Sequence, residues 1–404
     1  MNTLKHREDG RAGMRAGWEV KTLGEVLEIQ NGYAFDSKCF NPTTGLPLIR
    51  IRSLKSGTET ETYYNGNYDE KYVVHCGDLL IGMDGEFGCY EWKGEPALLN
   101  QRVCRLRNFS DDLDPKFLFY GVNTHLKAIE DVTGFATVKH LSSKQILSIE
   151  FPLPPLAEQQ RIVAILDEAF EGIATARKHA EQNLQNAKAL FESHLQTTFT
   201  QSGQGWVEQK LGEISEFKNG LNYNKSSSGQ TLPVVGVADF QDNYSVPFSE
   251  LQSATIDGHL AENYTIQPND ILTVRSNGSK HLVGRCMLVG HVDEAVSYSG
   301  FIIRIRFDAE TIFPQFLLHF MKCQVTRDIL TAGGGGANIN NINQEKLSSL
   351  IVPLPPYKIQ IKIAADLDAL RDESNRLCDI YTQKIAALDA LKKSLLHQAF
   401  SGEL

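Results

Sequence analysis

Carboxylate and lysine side chains early in the chain have types and a spacing that could hold a metal ion and cleave a phosphodiester. Glu91 and Lys93 form a Glu-x-Lys string, with Asp84 upstream. In metal-dependent nucleases such carboxylates hold Mg²⁺, and the lysine polarises the attacked phosphate. Short strings of this kind are frequent by chance, and the corresponding later segment, "SKHLVGRCMLVG", has no such trio. A solvated turn is the favoured interpretation, and a nuclease acting alone through these three residues is an alternative.

Other strings with catalytic potential are incomplete. The "LPPY" string at 354–357 is similar to the Asn/Asp-Pro-Pro-Tyr motif of amino-methyltransferases, but Leu354 stands where the amine-binding residue is needed. The "GGGG" string at 333–336 lacks the Gly-Lys-Ser/Thr ending of a phosphate-binding loop. The seven cysteines include no Cys-x-x-Cys pair, so we expect reduced, mostly buried thiols. The sequence predicts a non-catalytic protein that binds neither a metal nor a cofactor itself.

Composition and charge limit the classes of function. The chain has 404 residues, 42% of them hydrophobic and 22% charged, which suits two ordinary globular domains. The formal net charge of −9 argues against nonspecific coating of nucleic acid. The chain contains no apolar run of about 18 residues, the length that is needed to span a membrane. We therefore expect a cytoplasmic protein.

The chain is a tandem repeat, which has to be recognised before the fold is considered. The opening "GWEVKTLGEVLEIQNG" at 17–32 recurs as "GWVEQKLGEISEFKNG" at 205–220. Further on, "GDLLIGMDG" is matched by "NDILTVRSNG", and "VCRLR" by "IIRIR". The proline-rich "FPLPPLAEQQRIV" at 151–163 returns as "VPLPPYKIQIKIA" at 352–364. Each half is therefore a mixed domain, a proline hinge and a long periodic segment.

The predicted fold class is α+β. Short β-rich runs such as "LPLIRIRSL" and "FIIRIRF" alternate with one helical pattern per domain. After each hinge, apolar residues recur every three or four positions, which is typical of a long amphipathic helix with coiled-coil character. The predicted boundaries are a flexible tail at 1–16, a first mixed domain at 17–152 (the first head), a helical segment at 153–200, a second mixed domain at 201–353 (the second head) and a helical segment at 354–404.

The order of these elements predicts a geometry. A helix from about 157 to 199 is roughly 65 Å long, and the linker "TQSGQG" is too short to bring the second head back. The second helix can bury its apolar stripe by running antiparallel along the first. We therefore predict two heads joined by an antiparallel coiled coil with pseudo-twofold symmetry. Two heads at a fixed spacing suit bipartite DNA recognition.

These motifs together resemble the specificity subunit of type I restriction-modification systems. The resemblance rests on the paired Trp-x-x-x-x-Leu-Gly-Glu openings at 18–25 and 206–213, on "GDLLIGMDGEFG" with "LLNQRVCRLR", and on the "PLPP" hinge followed by "EQQRI". It covers residues 17–404. The resemblance implies that the heads are target-recognition domains, each reading one half of a split DNA sequence.

The same resemblance implies partners and their cofactors. Two methylation subunits, carrying S-adenosylmethionine, would dock along the helices and modify adenines, and a restriction subunit using ATP and Mg²⁺ would join them. Residues near the hinges expected to contact the methylation subunits are Glu158, Gln159, Arg161, Gln360 and Lys362. Because Glu158 is matched by Ile359 in the second hinge, the two contacts are expected to differ there.

Residues expected to touch DNA are polar or aromatic side chains on glycine-flanked loops, since base edges are read by hydrogen bonds. In the first head these are Tyr33, Arg50, Arg52, Asp84, Asn100, Gln101, Arg102, Lys139 and His140. In the second head they are Asn222, Tyr223, Lys225, Arg275, Ser276, Asn277, Lys280, Asn338 and Asn340. An Asp at position 84 could accept from a cytosine amino group.

Structural alternatives stand beside several of these assignments. Arg52 and Arg102 lie in apparent strand alternation and could form surface salt bridges, and Tyr33 and Tyr223 could pack at the core edge. Trp18 and Trp206 are assigned to the cores. The main alternative for the whole chain is a coiled-coil scaffold whose heads bind proteins rather than DNA.

Overall fold

The computed structural model describes residues 17–133, 139–201, 203–223, 226–279, 281–332 and 340–404. The predicted DNA contacts Lys225, Lys280 and Asn338 lie outside the described residues. The chain divides into two compact units. The first holds the described residues up to His179 together with Lys384–Leu404, and the second holds Ala180–Gln383. In the described residues no helix is both long and apolar enough to cross a membrane.

The first head is a mixed domain built on short strands. Its strands are β1 (Glu19–Thr22), β2 (Glu28–Asn31), β3 (Phe40–Asn41), β4 (Leu46–Ile49), β5 (Tyr63–Tyr64), β6 (Val73–Val74), β7 (Leu79–Gly82), β8 (Gly88–Glu91), β9 (Ala97–Leu99), β10 (Val103–Arg107) and β11 (Glu150–Leu153). Its helices are α1 (Leu23–Val26), α2 (Ile51–Leu54), α3 (Pro115–Val132) and α4 (Ser143–Leu147). They form a four-stranded sheet in the order β2-β10-β7-β8, a five-stranded sheet in the order β3-β5-β4-β9-β6, and the pair β1-β11.

The second head repeats this plan. After the long helix α5 (Leu156–Thr200), its strands are β12 (Val207–Lys210), β13 (Ser215–Asn219), β14 (Thr231–Val235), β15 (Ser253–Thr255), β16 (Ile271–Val274), β17 (Ser276–Asn277), β18 (Cys286–Leu288), β19 (Ser297–Tyr298), β20 (Ile302–Phe307), β21 (Asn340–Asn341) and β22 (Ile351–Leu354). Its helices are α6 (Leu211–Ile214), α7 (Pro314–Lys322), α8 (Gln324–Thr331) and α9 (Gln344–Ser348), and α10 (Tyr357–Ser401) follows. The sheet β13-β20-β16-β18 has the topology of β2-β10-β7-β8, and β12-β22 matches β1-β11. The predicted tandem repeat is confirmed at the level of strand order.

Both hinges start a helix in the same way. Strand β11 runs directly into Pro154 and Pro155, and α5 begins at Leu156. The Pro155 carbonyl accepts from the amides of Glu158 at 2.8 Å and Gln159 at 3.1 Å. Because proline fixes φ and needs no donor in the first turn, it is suited to this start. The two predicted helices are confirmed, and each is 45 residues long.

Within each unit, segments of the two long helices pack against the head and each other. In the first unit, Ile162 and Leu166 of α5 join a core cluster that includes Phe400 of α10. In the second unit, Ser374 of α10 donates a hydrogen bond of 2.7 Å to the Ala187 carbonyl of α5. In the first unit Arg177 of α5 also pairs with Asp389 of α10, so the two helix segments run antiparallel there. The coiled-coil geometry across the whole chain stays a prediction.

Some local predictions are wrong. The run "LPLIRIRSL" is not one strand, because β4 ends at Ile49 and the single-turn helix α2 begins at Ile51. The helical pattern predicted for the second head, "PQFLLHFMKCQVTRDIL", is not one helix, because it breaks at Cys323, whose ψ of 133° leaves the α region. This break re-aims α8 so that Thr326 and Leu330 are both buried.

The tryptophans and cysteines lie largely where they were predicted, but two tryptophans assigned to the cores are only partly buried. Trp18 and Trp206 pack against their cores but stay partly exposed, whereas Trp92 is 1% exposed. Cysteines 89, 104, 286 and 323 are buried and all seven thiols are free, as predicted.

Candidate nucleic-acid interface

The proposed nuclease trio is not assembled. Glu91 on β8 pairs with Leu79 on β7, five positions before Asp84. At about 3.3 Å per strand residue this separates Asp84 from Glu91 by roughly 16 Å. Among the described residues no group of three or more His, Cys, Asp or Glu side chains could hold a metal ion. Lys93 instead lies 3.5 Å from Glu91 as a surface ion pair.

Three chain segments of the first head meet at Asp84. The Met83 amide donates to the Arg102 carbonyl at 3.0 Å, and the Leu141 amide donates to the Met83 carbonyl at 2.7 Å. Gly85, with φ of +77°, occupies a conformation that disfavours residues with a Cβ and donates to the Lys139 carbonyl at 3.0 Å. The loops that carry Asp84, Arg102 and His140 are therefore fixed by backbone contacts before any side chain contributes.

The Asp84 carboxylate orients two exposed cationic or aromatic side chains. Its Oδ2 lies 2.9 Å from Arg102 Nη1 and its Oδ1 lies 2.7 Å from His140 Nδ1. Asp84 is 14% exposed, whereas Arg102 and His140 are each 56% exposed. Arg102 and His140 are thus the exposed members of this cluster. Both oxygens of Asp84 are engaged within the chain, so Asp84 positions Arg102 and His140, and its contact with a base stays a prediction.

A cavity of about 510 Å³ adjoins this cluster. Predicted DNA contacts form much of its wall: Arg50, Arg52, Asn100, Gln101 and Arg102. Arg102 belongs to both the cavity and the Asp84 cluster, so the two are continuous. Arg50 is the N-cap residue of α2 and Arg52 lies within this helix. Arg52 was expected in a strand, and that expectation is wrong. Among the described residues neither guanidinium has a carboxylate partner, whereas Arg102 does form the salt bridge considered as its alternative.

Tyr33 lies beside the same cavity wall. Its amide donates to the Leu99 carbonyl at 2.9 Å, and its carbonyl accepts from the Gln101 amide at 3.0 Å. Its ring is 51% exposed and has its centroid 5.1 Å from that of Tyr72. The preceding Gly32 permits this approach, since a Cβ there would lie 2.0 Å from the Asn100 carbonyl oxygen. Tyr33 therefore combines edge packing with an exposed ring face.

The ammonium group of Lys139 is already engaged within the chain. Its Nζ donates to the Glu130 carbonyl at 3.0 Å and lies 3.6 Å from the Glu130 carboxylate. Glu130 also accepts from the Phe87 amide, and its hydrogen bonds with Lys127 and Phe87 lower the pKa of its carboxyl group. Lys139 thus ties its loop to the end of α3.

The second head uses the same backbone contacts with different side chains. The Arg275 amide donates to the Phe301 carbonyl at 2.9 Å, and the Ile342 amide donates to the Arg275 carbonyl at 2.7 Å. These bonds match those of Met83 with Arg102 and Leu141. The predicted alignment of Arg275 to Asn277 with residues 83–85 is therefore confirmed by backbone hydrogen bonds.

Side chains at the matched positions differ in charge, and the neutral Met83 is replaced by Arg275 in the second head. Ser276 pairs with Asn341 where Asp84 pairs with His140 in the first head. Phe301, 60% exposed, takes the place of Arg102. Asn277 pairs with Asn340, of which only the backbone is described. The sequence reasoning did not include Phe301 or Asn341, although the alignment of "VCRLR" with "IIRIR" could have indicated Phe301.

Asn222 and Tyr223 do not occupy the position of Tyr33. The counterpart of Tyr33 is Leu221, whose amide donates to the Tyr298 carbonyl at 2.9 Å. Leu221 packs against a small apolar cluster rather than presenting a ring to solvent. Asn222 Oδ1 approaches Gly300, where a Cβ would lie 2.2 Å away. Tyr223 is 36% exposed.

The hinge glutamines are buried rather than presented to a partner. Gln159 is 0% exposed, and its side-chain oxygen Oε1 accepts from the backbone amide of Asp114 at 2.8 Å. It also donates to the carbonyls of Asp112 at 2.7 Å and Pro154 at 2.8 Å. Its side chain therefore joins the helix start to the loop before α3. We reassign it from the docking surface to the hinge.

Gln360 repeats this arrangement in the second unit. It is 3% exposed and accepts from the Phe313 amide at 2.8 Å. It donates to the carbonyls of Pro355 at 3.0 Å and Thr311 at 3.3 Å. The repeated glutamine is thus explained by a repeated hinge contact.

The other predicted docking residues remain at the surface. Arg161 pairs with Glu158 at 2.7 Å and donates to the Leu404 carbonyl at 2.7 Å. Lys362 is exposed, and Ile359, which replaces Glu158 in the second hinge, is 42% exposed. The two hinges therefore differ at this position, which is charged in the first hinge and apolar in the second.

Comparison with known proteins agrees with this two-headed organisation. The model of the type I restriction modification DNA specificity domain matches residues 15–185 and again 203–386. The EcoBI specificity subunit from Escherichia coli is 29% identical, with 99% of this chain and 89% of that protein covered. The StySPI specificity subunit from Salmonella potsdam is 24% identical, with 98% and 90% covered.

Solved structures share the fold. A chain from a study of complex assembly and conformational transition of the type I R-M system has a TM-score of 0.75 at 21% identity, covering 97% of this chain and 99% of that one. The HsdS subunit from Thermoanaerobacter tengcongensis has a TM-score of 0.59 at 20% identity, covering 98% and 99%. This chain belongs to the family of type I restriction modification DNA specificity domains and contains two of them.

Proposed function

We propose that this chain is the non-catalytic subunit that reads a split DNA sequence, each head recognising one half. The observation that carries the proposal is the shared backbone framework at 83–85 and 275–277 with different side chains on it. A framework held constant while its exposed groups change is what two readers of two unlike sequences require. The first head presents Arg102 and His140, and the second presents Phe301 and Asn341. Arg275 and Asn277 lie half-buried on the same framework and would contribute to reading the second half.

The chemistry of these groups indicates how each half would be read. An arginine such as Arg102 can donate two hydrogen bonds to the O6 and N7 acceptors of guanine. Its fixed contact with Asp84 limits the geometry in which it can do so, which favours one base over another. In the second head, the exposed ring of Phe301 would contact a thymine methyl group, and the amide of Asn341 could pair with adenine.

Sequence-independent contacts would come from the remaining cations. Arg50 and Arg52, which have no carboxylate partner among the described residues, can neutralise phosphates next to the first half-site. The total charge of −9 makes such local placement necessary, because the chain as a whole repels DNA.

The same proposal includes the partners that the family relationship suggests. Two methylation subunits would dock at the helices near Glu158, Arg161 and Lys362 and would carry S-adenosylmethionine. A restriction subunit would bring ATP and Mg²⁺. This chain would bind no cofactor itself, and the assembled complex would methylate adenines and cleave unmodified DNA.

The proposal is tested by co-expressing the chain with its genomic neighbours and mapping modified adenines across the host DNA. We expect a split motif with a fixed spacer, methylated on both strands and lost when this chain is deleted. A methylation pattern that survives the deletion would refute the proposal. A head that binds protein instead would leave the pattern unchanged when Arg102 or Arg275 is replaced.

A further inference from the structure

The second unit contains a large cavity that the proposed DNA-reading surface does not use. It has a volume of about 890 Å³ and lies between the head and the two helix segments of this unit. Lys188 and Glu192 come from α5, Arg371 from α10, Lys322 from α7 and Arg327 from α8. A volume of this size is in the usual range for small-molecule sites.

The charges that line the cavity do not cancel. Arg371 pairs with Asp368 at 2.8 Å and with Asp372 at 3.1 Å. Arg285 pairs with Asp242 at 3.1 Å. Within the described residues, Lys188, Lys322 and Arg327 form no ion pair, and they face one further carboxylate, Glu192. An excess of positive charge is left inside the cavity.

Lys322 and Arg327 are half-buried, and this partial desolvation strengthens their attraction for an anion, whereas Lys188 is exposed at the cavity rim. Burial lowers the pKa of Lys322 to about 8. Its Nζ donates to the Asn243 carbonyl at 2.8 Å and lies 4.0 Å from the centre of the Tyr244 ring. The Nε of Arg327 is buried and has no hydrogen-bond partner among the described residues. Burial raises the pKa of the Glu192 carboxyl group, while the nearby Arg327 and Lys322 act in the opposite direction.

We propose that this cavity binds a phosphate-bearing anion through Lys188, Lys322 and Arg327. A phosphate group carries the two negative charges and the several acceptor oxygens that three unpaired cations can satisfy. The cavity is larger than one phosphate, so the rest of the ligand would lie along the Tyr244 side. The inference is independent of the DNA-reading function proposed above.

The test is calorimetric titration of the full chain with sodium pyrophosphate. We expect saturable binding that Lys188→Glu weakens by about tenfold or more, since the charge at an exposed cavity position is reversed. Arg327→Gln should also weaken it, and the Lys188 variant remains decisive if Arg327→Gln disturbs the carbonyls of His281 and Val283 that Arg327 holds. Lys358→Glu, which reverses the charge of an exposed lysine outside the cavity, is the matched control.

A competition experiment identifies the source of the phosphate. Competition between pyrophosphate and a duplex of random sequence would assign the site to the DNA backbone, and binding unaffected by the duplex would assign it to a free phosphorylated molecule. Absence of saturable heat, or equal weakening by Lys188→Glu and Lys358→Glu, would overturn the proposal.

Discussion

Replacing Gln159 by Leu should destabilise the first unit strongly. The substitution keeps a side chain of similar size but removes three hydrogen bonds, to the Asp114 amide and to the carbonyls of Asp112 and Pro154. Each backbone group left unsatisfied in a buried site costs about 1–3 kcal/mol. Because Asp112 and Asp114 are half-buried, water can reach part of this site, and the lower end of that range applies.

The expected loss is about 3 kcal/mol for three groups at the lower end of the range. A buried leucine returns at most about 1–2 kcal/mol of apolar burial, which keeps the net loss near 2 kcal/mol. For a unit of this size, 1 kcal/mol shifts the midpoint of unfolding by about 2–4 °C. The midpoint of unfolding of the first unit should therefore fall by roughly 4–8 °C. Gln360→Leu should produce the same shift in the second unit, since its contacts are equivalent.

The assay is differential scanning calorimetry of the isolated chain. Gln160→Leu is the matched control, because Gln160 is the adjacent glutamine and is exposed. If Gln159→Leu melted within about 1 °C of Gln160→Leu, which corresponds to well under 1 kcal/mol, the hinge assignment would be wrong. In that case a role in docking a partner would regain support, and only assembly would be expected to suffer.

Three further outcomes are expected. Arg102→Ala should relax or change the first half of the methylated motif, with a loss of about 1–3 kcal/mol in base discrimination, and leave the second half intact. Arg275→Ala or Asn277→Ala should change the second half and leave the first intact. Equal loss at both halves in the methylation map would show that the heads do not read independently. Gly32→Ala should abolish reading of the first half, because its Cβ would lie 2.0 Å from the Asn100 carbonyl oxygen, while Gly172→Ala, with no atom within 4 Å, should be silent in the same map. Burial lowers the pKa of His319 despite its contact with Asp368, so the unfolded chain takes up a proton at higher pH than the folded one. The second unit should therefore lose stability as pH falls below about 6.5. Urea titrations at several pH values should show that loss, and the same dependence of stability on pH in His319→Gln would refute the assignment.

The candidate site was predictable where the repeat itself carried the information. Aligning residues 77–85 with 269–278 placed Arg275 and Asn277 opposite the Asp84 loop, and backbone hydrogen bonds agree with that placement. The convergence of Arg50, Asn100 and Arg102 on one cavity was not predictable, because β4 and the β9–β10 connection meet through a parallel strand pair. Parallel pairing of this kind joins segments that are distant in sequence and leaves no local signal.

Roles of individual polar residues were even less accessible to sequence. Gln159 stands among exposed charges in the sequence and looked like a docking residue, yet its side chain is buried and satisfied by backbone groups of another loop. Asp84 looked like a base contact, yet Arg102 and His140 cover it. A hydrogen-bond partner far along the chain decides whether a polar side chain faces solvent, and periodicity does not report it.

The sequence by itself determined the tandem repeat, the two proline hinges and the two 45-residue helices. These features depend on local rules, namely the fixed φ of proline and the three-to-four spacing of apolar residues, which act within a few positions. The tertiary structure alone decided which side chains point outward on the shared framework, where the unpaired cations of the second unit gather, and which glutamines are buried. Those outcomes depend on contacts between segments separated by tens of residues or more, and only the folded chain brings them together.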